Sequence, residues 1–408
     1  MVAQVRMGVR VLVPLGRSKT YTAMAVRLHS EKPEFETRPI IQVIDTEPVL
    51  IEQQLRLWQW ISTYYMSPIG DVFKAALPAG LKAEENYRPK TVRCVTLPAN
   101  LRSEQSLHMA LTILKRALKQ HQTFITYLEL SHWNEIDGDT PPAHIAEIAC
   151  DELQNAANAS DAVLRQLIQR NFLELYHREV GRLNTAGEYH PERIQPLSPA
   201  QKTAEDSINR QFNEKNVVLL HGVTSSGKTE IYIHLIKKAI DEGKQVLYLL
   251  PEIALTVQMT RRLHNVFGSR LGIYHSRYSD AERVEIWKKQ ISAEPYDVIL
   301  GARSAIFLPF TRLGLVIVDE EHETSFKQQD PAPRYHARSA AIMLARMYEG
   351  AKVLLGTATP SMESYHNACT GKYGYVQLTT RYKDVAMPEI RVVDTKDLYR
   401  RKMMRGAF

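Results

Sequence analysis

The eight residues Gly222-Val223-Thr224-Ser225-Ser226-Gly227-Lys228-Thr229 constrain this chain more than any other stretch. They satisfy GxxxxGK[ST], directly after the short apolar run Asn216 to Leu220 and before a helical segment. A glycine-bearing turn in that setting lets backbone N–H groups face phosphate oxygens, and the helix behind it offers its positive end. Lys228 can then reach the β- and γ-phosphates, and the Thr229 hydroxyl can hold Mg2+. All eight residues are candidate nucleotide ligands, and Lys228 is also a candidate catalytic residue. Further apolar runs, Gln245 to Leu250, Asp297 to Leu300, Leu313 to Val318 and Lys352 to Leu355, alternate with amphipathic helical stretches. That alternation predicts an α/β lobe whose parallel sheet is covered on both faces.

A phosphohydrolase site also needs an acid at the end of a buried strand, and Leu313 to Val318 runs straight into Asp319-Glu320. Asp319 would coordinate Mg2+ directly or through water, and Glu320 would orient or deprotonate the attacking water. Adjacent acids alone are most often surface charge; the strand before them and the phosphate loop upstream favour the site. Gln201, about 20 residues before the loop, is a candidate adenine reader, with an ordinary exposed glutamine as the alternative.

The rest of the 408 residues divides by texture. Val9, Val11 and Val13 alternate before the turn-like Pro14-Leu15-Gly16, and Tyr21 to Leu28 is a second extended run, which together predict a β-rich module. Leu50 to Met66 sets Ile51, Leu55, Trp58, Ile61 and Tyr65 on one helical face. One further helix is expected over Ser103 to Lys119, with Leu107, Leu111 and Leu114 inward. Ser160 reads as an N-cap, Val163, Leu164, Leu167 and Ile168 as a helical stripe, Asn171 as its end, and Phe172 to Tyr176 as a wing strand. Gly181 to Ala200 is polar and lacks an apolar period, so it reads as a linker. The expected domains are 1–98, 99–180, the linker 181–200, and 201–408.

Hydrophobic residues make up 44% and charged residues 24%, which excludes wholesale disorder. No run approaches the roughly 18 apolar residues that span a bilayer, and Met1 to Pro14 lacks a signal-peptide core, so no membrane association and a cytoplasmic home are expected. Cys94, Cys150 and Cys369 are too far apart for a CxxC pair and read as buried, reduced thiols. Residues 1–100 hold 13 basic and 9 acidic side chains, 101–200 hold 9 and 13, and 201–408 hold 30 and 23. The positive excess in the first quarter and second half suits a polyanion, whereas the acidic middle argues against that block as the main phosphate clamp.

Asp319-Glu320-Glu321-His322 resembles the DExH box of superfamily 2 helicases, and Gly356-Thr357-Ala358-Thr359-Pro360-Ser361 resembles their motif III. Leu250-Pro251-Glu252-Ile253-Ala254-Leu255-Thr256, Tyr274-His275-Ser276, Gly301-Ala302-Arg303-Ser304-Ala305-Ile306-Phe307, and Lys327-Gln328-Gln329 with Arg334-Tyr335-His336-Ala337-Arg338 look like the PriA family of primosomal replication-restart helicases. Pro68-Ile69-Gly70-Asp71 and Ala76-Leu77-Pro78 resemble the end of that family's first domain. Over nearly the whole chain, the resemblance implies a β-rich domain that binds a 3′ DNA end, a winged helix, and a first RecA-like lobe. The implied activity is that of an ATP-dependent 3′ to 5′ DNA helicase that recognises stalled or branched forks and initiates primosome assembly and replication restart. ATP and Mg2+ are the implied cofactors. Branched and single-stranded DNA, primosome proteins and single-strand-binding proteins are the implied partners.

The resemblance also implies residue roles. His322, Thr357 and Thr359 would couple the γ-phosphate to movement. Arg303 would pair with a phosphate, and Lys327, Gln328, Arg334, Tyr335 and Arg338 belong to an aromatic-rich loop that senses single-stranded DNA. Gly16 and Arg38 fall where the family builds part of its terminal-nucleotide pocket. Ser225 and Ser226 stand where glycine is commoner, Ala302 replaces a threonine, Ser339 replaces an aspartate, and the Asp330-Pro331-Ala332-Pro333 loop is slightly longer. The family begins with a further β-strand and continues into a second RecA-like lobe with an inserted zinc region. These residues are therefore expected to be a fragment, with zinc only in the missing part, that binds nucleotide weakly and unwinds little alone. The rival expectation is a non-catalytic fork-binding module in which residues 1–180 act and the nucleotide lobe is inert. A transporter ATPase would need an LSGGQ string, which is absent.

Overall fold

In the computed structural model, residues 4–16, 19–82, 91–132, 147–179, 187–254, 257–276, 278–381 and 394–402 are described. The chain divides into two units: Met1–Glu84, Thr185–Tyr278 and Ile286–Phe408 form one, and Glu85–Asn184 with Ser279–Glu285 forms the other.

The first unit begins with an antiparallel sheet, order β2-β1-β3, of β1 (Arg10–Leu15), β2 (Lys19–Met24) and β3 (Gln42–Val43). Val9 and Val11 are buried, and Gly16, at φ +67°, ends the strand in the left-handed region that glycine adopts without strain. The second extended run stops at Met24, and Val26 and Leu28 beyond it are exposed. Arg10 makes an ion pair with Asp45, Nη2 to Oδ1 2.6 Å, and donates to the Leu81 carbonyl, so a buried charge staples this module. Helices α1 (Glu52–Tyr64) and α2 (Ile69–Ala76) follow. The apolar stripe buries Trp58 and Ile61 along with Leu57.

The second unit pairs β4 (Thr91–Thr96) antiparallel with β5 (Ile148–Ala149) and β6 (Glu174–Glu179), and carries α3 (Glu104–Leu114), α4 (Leu118–Leu130), α5 (Cys150–Ala157) and α6 (Asp161–Gln169). The single helix expected over Ser103 to Lys119 is two helices. The break after Leu114 lets Phe124 and Tyr127 of α4 join Leu107 and Leu114 in one core, with Leu164 and Leu167 of the predicted stripe. The wing strand starts at Glu174, because Phe172 and Leu173 are spent on that core, and Asn171 at φ +59° closes α6. Because β4 pairs with β6, Thr91–Thr96 lies in the second unit, which begins at Glu85.

The remainder of the first unit belongs to the α/β lobe, whose sequence also includes the segment Ser279–Glu285 assigned to the second unit. Its elements are α7 (Pro199–Glu214), β7 (Val217–Gly222), α8 (Lys228–Asp241), β8 (Gln245–Leu249), α9 (Val257–Phe267), β9 (Leu271–Tyr274), α10 (Asp280–Ile291), β10 (Val298–Gly301), β11 (Leu313–Asp319), α11 (Ala337–Ala345), β12 (Lys352–Thr357), α12 (Met362–Cys369), β13 (Gly374–Leu378) and α13 (Thr395–Arg400). The seven strands pair parallel in the order β13-β7-β12-β11-β8-β10-β9. The five predicted apolar runs form five of them. The other two, β9 and β13, are the edge strands. Their runs are short and interrupted by glycine or polar residues, because an edge is buried less completely.

Two further expectations are corrected. Of the segment read as a linker, residues 187–198 pack on the lobe: Tyr189 stacks on Phe267 with centroids 6.2 Å apart, the His190 N–H donates to Val266, and Ile194 and Leu197 lie against the core. Residues 181–186 lie outside the described residues. Cys94 and Cys150 are buried, but Cys369 is exposed. Among the described residues no helix is long and apolar enough to cross a membrane.

The first module is joined to the lobe through buried polar bonds. Gln54 of α1 donates to the Phe307 carbonyl at 2.6 Å, and Trp287 donates to the Val49 carbonyl at 2.7 Å. Replacing Gln54 with Leu keeps the volume and orphans the carbonyl, which costs about 1–3 kcal/mol. Urea unfolding of that variant should show a lowered midpoint at an unchanged m-value; an unshifted midpoint would count against this junction.

Candidate functional site: a phosphate loop facing a buried acid

Strand β7 delivers Gly222 at its carboxyl end, and α8 starts at Lys228, so the loop between them sits at the carboxyl edge of the sheet. Open α/β sheets place ligands there. The turn is tight because its glycines are needed. Gly227 has φ +79°, and a Cβ on it would fall 2.2 Å from Gln201 Nε2. Ser225 holds φ +62°, a left-handed conformation that costs a serine energy and a glycine almost none. The glycine common in the resembling family therefore has a physical counterpart here, and Ser225 carries the strain. Ser226 is 3% exposed, and its buried hydroxyl has no partner. Lys228 Nζ rests on the Gly222 carbonyl at 3.0 Å.

Thr224 to Lys228 line a pocket of about 610 Å³ together with Gln201, Thr229, Asp319 and Glu320, whereas Gly222 and Val223 lie outside its wall. Gln201 is buried and committed on both sides of its amide. Its oxygen accepts from the Ser198 N–H at 2.8 Å, and its nitrogen donates to the carbonyls of Ser226 and Gly227 at 3.2 and 3.3 Å. It is thus a capping-box residue of α7 and a clamp on the phosphate loop. Arg262, also in the pocket wall, is ion-paired with Glu230. The unpartnered Ser226 hydroxyl, the inward ammonium and the glycine turn fit a triphosphate. Thr229 and Asp319, both in the pocket wall, offer the hard oxygen donors that Mg2+ takes.

Asp319 ends β11 and is 7% exposed. Tyr232 of α8 donates to its Oδ1 at 3.0 Å, Tyr248 of β8 to its Oδ2 at 3.2 Å, and the Glu320 N–H to Oδ1 at 3.1 Å. Burial, then the neighbouring Glu320 charge, push the carboxyl up to about 6, against the pull of Tyr232, Lys228 and the Glu320 N–H. Glu320 leaves the strand at φ +48°, so the chain turns sharply at the acidic box. Glu321 points into the protein and is fully buried, ion-paired with Arg338 at 2.5 Å. It also accepts from the Ser361 N–H at 2.7 Å and the Ser364 hydroxyl at 2.8 Å. Burial alone would raise its pKa; those donors and Arg338 hold it below the ordinary value. His322 is hydrogen-bonded through Nδ1 to Thr357 Oγ1 at 2.8 Å, and its Nε2 lies 3.4 Å from Thr359 Oγ1. The structure thus brings His322, Thr357 and Thr359 together.

The aromatic-rich loop departs from the expected exposed stacking surface. Tyr335 is 1% exposed, with its ring edge-on to Phe307, and burial raises its hydroxyl pKa. Its ring cannot serve as an exposed platform in this structure. Arg338 is likewise withdrawn into the Glu321 pair, because a buried carboxylate without its cation would be far costlier than a solvated arginine. Gln328 donates to the carbonyls of Pro331 and Pro333, shaping the loop from inside. Arg303 donates to the carbonyls of Ser325 and Lys327, both at 3.1 Å. Lys327 donates to the Arg334 carbonyl and lies 5.2 Å from the centre of the Tyr65 ring. The Tyr65 hydroxyl accepts from the His336 N–H at 3.1 Å. Arg334 remains exposed. On the first module, exposed Arg38 donates to the Gly16 carbonyl, so these two candidates meet on the β1–β2 hairpin.

Sequence reasoning missed Tyr232 and Tyr248, and gave no site role of their own to Ser361, quoted within motif III, or to Tyr65, placed on a helical face. Tyr232 was accessible in principle, four residues beyond Lys228 on the same helical face. Tyr248 was hidden inside an apolar strand.

The Asp319 environment has a pH signature. A carboxyl raised to about 6 makes the native state hold its proton more tightly than the unfolded chain. The stability this gives is present in full below about pH 4 and is lost as pH rises through about 6. Asp319→Asn removes the ionisation. The variant should therefore gain about 2–3 kcal/mol over the parent between pH 4 and pH 7.5, measured by chemical denaturation. A pH-independent difference would contradict the buried-acid assignment.

Comparison with known proteins finds family matches in three successive stretches of the chain. Residues 1–78 match the PriA 3′ DNA-binding domain family, "3'DNA-binding domain (3'BD)"; residues 92–180 match "Winged helix domain, PriA helicase, Bacteroidota"; and residues 198–368 match "DEAD/DEAH box helicase". The replication restart protein PriA of Bacillus subtilis is 32% identical over 444 residues, spanning 96% of this chain and 54% of that protein. That of Haemophilus influenzae is 33% identical over 398 residues, 96% of this chain and 51% of its own length. That of Rickettsia conorii is 43% identical over 198 residues, 48% and 30% of the two chains. The chain spans about half the length of the first two relatives. With a PriA-type 3′ DNA-binding domain, a PriA-type winged helix and a helicase lobe in one order, the chain belongs to the PriA family of replication restart proteins.

Proposed function

We propose that this chain serves an ATP-dependent 3′ to 5′ DNA helicase that recognises branched or stalled replication forks and initiates primosome assembly and replication restart. The observation that carries the reading is the shared pocket of the phosphate loop, Asp319 and Glu320. Lys228 leaves the Gly222 carbonyl for a phosphate oxygen, and the loop N–H groups and Ser226 hydroxyl surround the remaining anionic oxygens. Thr229 and Asp319 would hold Mg2+, which supplies Lewis-acid stabilisation of the phosphates when bound. Glu320, half-exposed at the pocket wall, orients the attacking water.

His322 reads the state of that site through its bond to Thr357, and motif III passes it on through Ser361 to Glu321 and Arg338. Arg338 is the second residue of α11, whose first residue directly follows His336 at the end of the aromatic-rich loop. We assign Lys327 and Arg334 to contact with single-stranded DNA, and Gly16 and Arg38 to the terminal-nucleotide pocket. Arg303, Gln328, Tyr335 and Arg338 shape the loop from within. Contacts with primosome and single-strand-binding proteins are part of the same proposal, as is the domain plan of an end-binding module, a winged helix and a first helicase lobe.

Two substitutions test this. Lys228→Ala should abolish binding of a fluorescent ATP analogue while leaving affinity for labelled fork DNA within about twofold, measured by anisotropy. Retained nucleotide binding would reject the assigned pocket. Lys327→Ala should leave nucleotide binding intact and remove the influence of single-stranded DNA on it; an unchanged DNA effect would reject the loop's role.

A further inference from the structure

The two tyrosines on Asp319 are not accounted for by the motifs. Tyr232 comes from the second turn of α8, and Tyr248 from β8, where it lies beside Ile317 of β11. Both hydroxyls are in the interior, and each donates to a different oxygen of the same carboxylate. Their rings meet edge to face, with centroids 5.6 Å apart. The neighbouring strand is shaped around this arrangement. Gly356 of β12 lies opposite Asp319, and a Cβ there would sit 1.8 Å from the Tyr232 hydroxyl oxygen. Only glycine leaves the hydroxyl its place.

The donors are directional. Tyr232 and the Glu320 N–H occupy Oδ1, and Tyr248 occupies one side of Oδ2. A carboxylate has about four lone-pair positions, so three are filled from within the protein and the plane of the group is locked. The position left over belongs to Oδ2. We infer that Tyr232 and Tyr248 are positioning residues that fix the Asp319 carboxylate so that a single Oδ2 lone pair serves Mg2+, directly or through one water. This rests on the assignment of Asp319 to the metal made above. It adds a specific consequence: the metal site is held from behind by α8 and β8, so the helix that carries Lys228 and Thr229 also aims the acid.

Loss of a hydrogen bond behind a metal-ligating carboxylate typically weakens metal affinity about 10–100-fold. Tyr232→Phe and Tyr248→Phe each keep the ring and remove only the donor. The test uses the full chain and a fluorescent ATP analogue, titrated in EDTA and again across a Mg2+ series. Mn2+ binding followed by electron paramagnetic resonance gives a second readout that needs no turnover. Each variant should bind metal-free nucleotide within about twofold of the parent and need about tenfold more Mg2+ to reach half of the metal-dependent gain. Parent-like Mg2+ and Mn2+ dependence in both variants overturns the inference and leaves the nucleotide site standing. A parent chain with no metal-dependent gain rejects the site itself. The two variants act from different elements, so if one fails to fold the other still decides.

Discussion

A single fully buried carboxylate holds the working parts of this lobe in register. Glu321 has no access to solvent and stays charged because Arg338, the Ser361 N–H and the hydroxyls of Ser361 and Ser364 surround it. The four donors come from two parts of the chain: Arg338 from the start of α11, and Ser361 and Ser364 from the N-cap and first turn of α12. A buried ion pair of this kind adds little net stability, but losing one partner is very costly. The interaction therefore specifies geometry. It fixes the turn after β11, so Glu320 faces the pocket while the next residue faces inward.

The phosphate loop shows the opposite economy. Ser225 sits in a left-handed conformation and the Ser226 hydroxyl is buried without a partner. Both are small penalties of the sort that accumulate at functional sites, where the local optimum yields to a shape suited to something else. Gln201 limits the damage by bonding the loop carbonyls of Ser226 and Gly227. Its amide serves helix capping and loop bracing at once, which explains why a residue so far upstream lines the nucleotide pocket.

How much of this was legible in the sequence depended on whether the chemistry is local. The phosphate loop and the acidic box are contiguous strings after apolar strands, so their position at the sheet's carboxyl edge follows from pattern alone. The five interior strands were legible because both faces are covered, which forces continuous apolar runs. Edge strands β9 and β13 escaped because that pressure is absent. Helix α4 and the true start of the wing strand were obscured for another reason: Phe124 and Phe172 satisfy a helical or extended pattern equally, and the tertiary core decides. Tyr335 and Arg338 show the same limit at the site. A tyrosine and an arginine among cations read as a surface for nucleic acid, yet the demands of Phe307 packing and of Glu321 draw both inward.

The hydroxyl of Tyr65 receives the His336 N–H, and the ring of Tyr65 lies under Lys327. A helix from the opening module is thereby the backstop for a loop more than 250 residues downstream. Lys327 cannot shift without sliding along that ring. A displacement of the opening module would therefore be passed straight to Lys327 and His336 through one aromatic side chain.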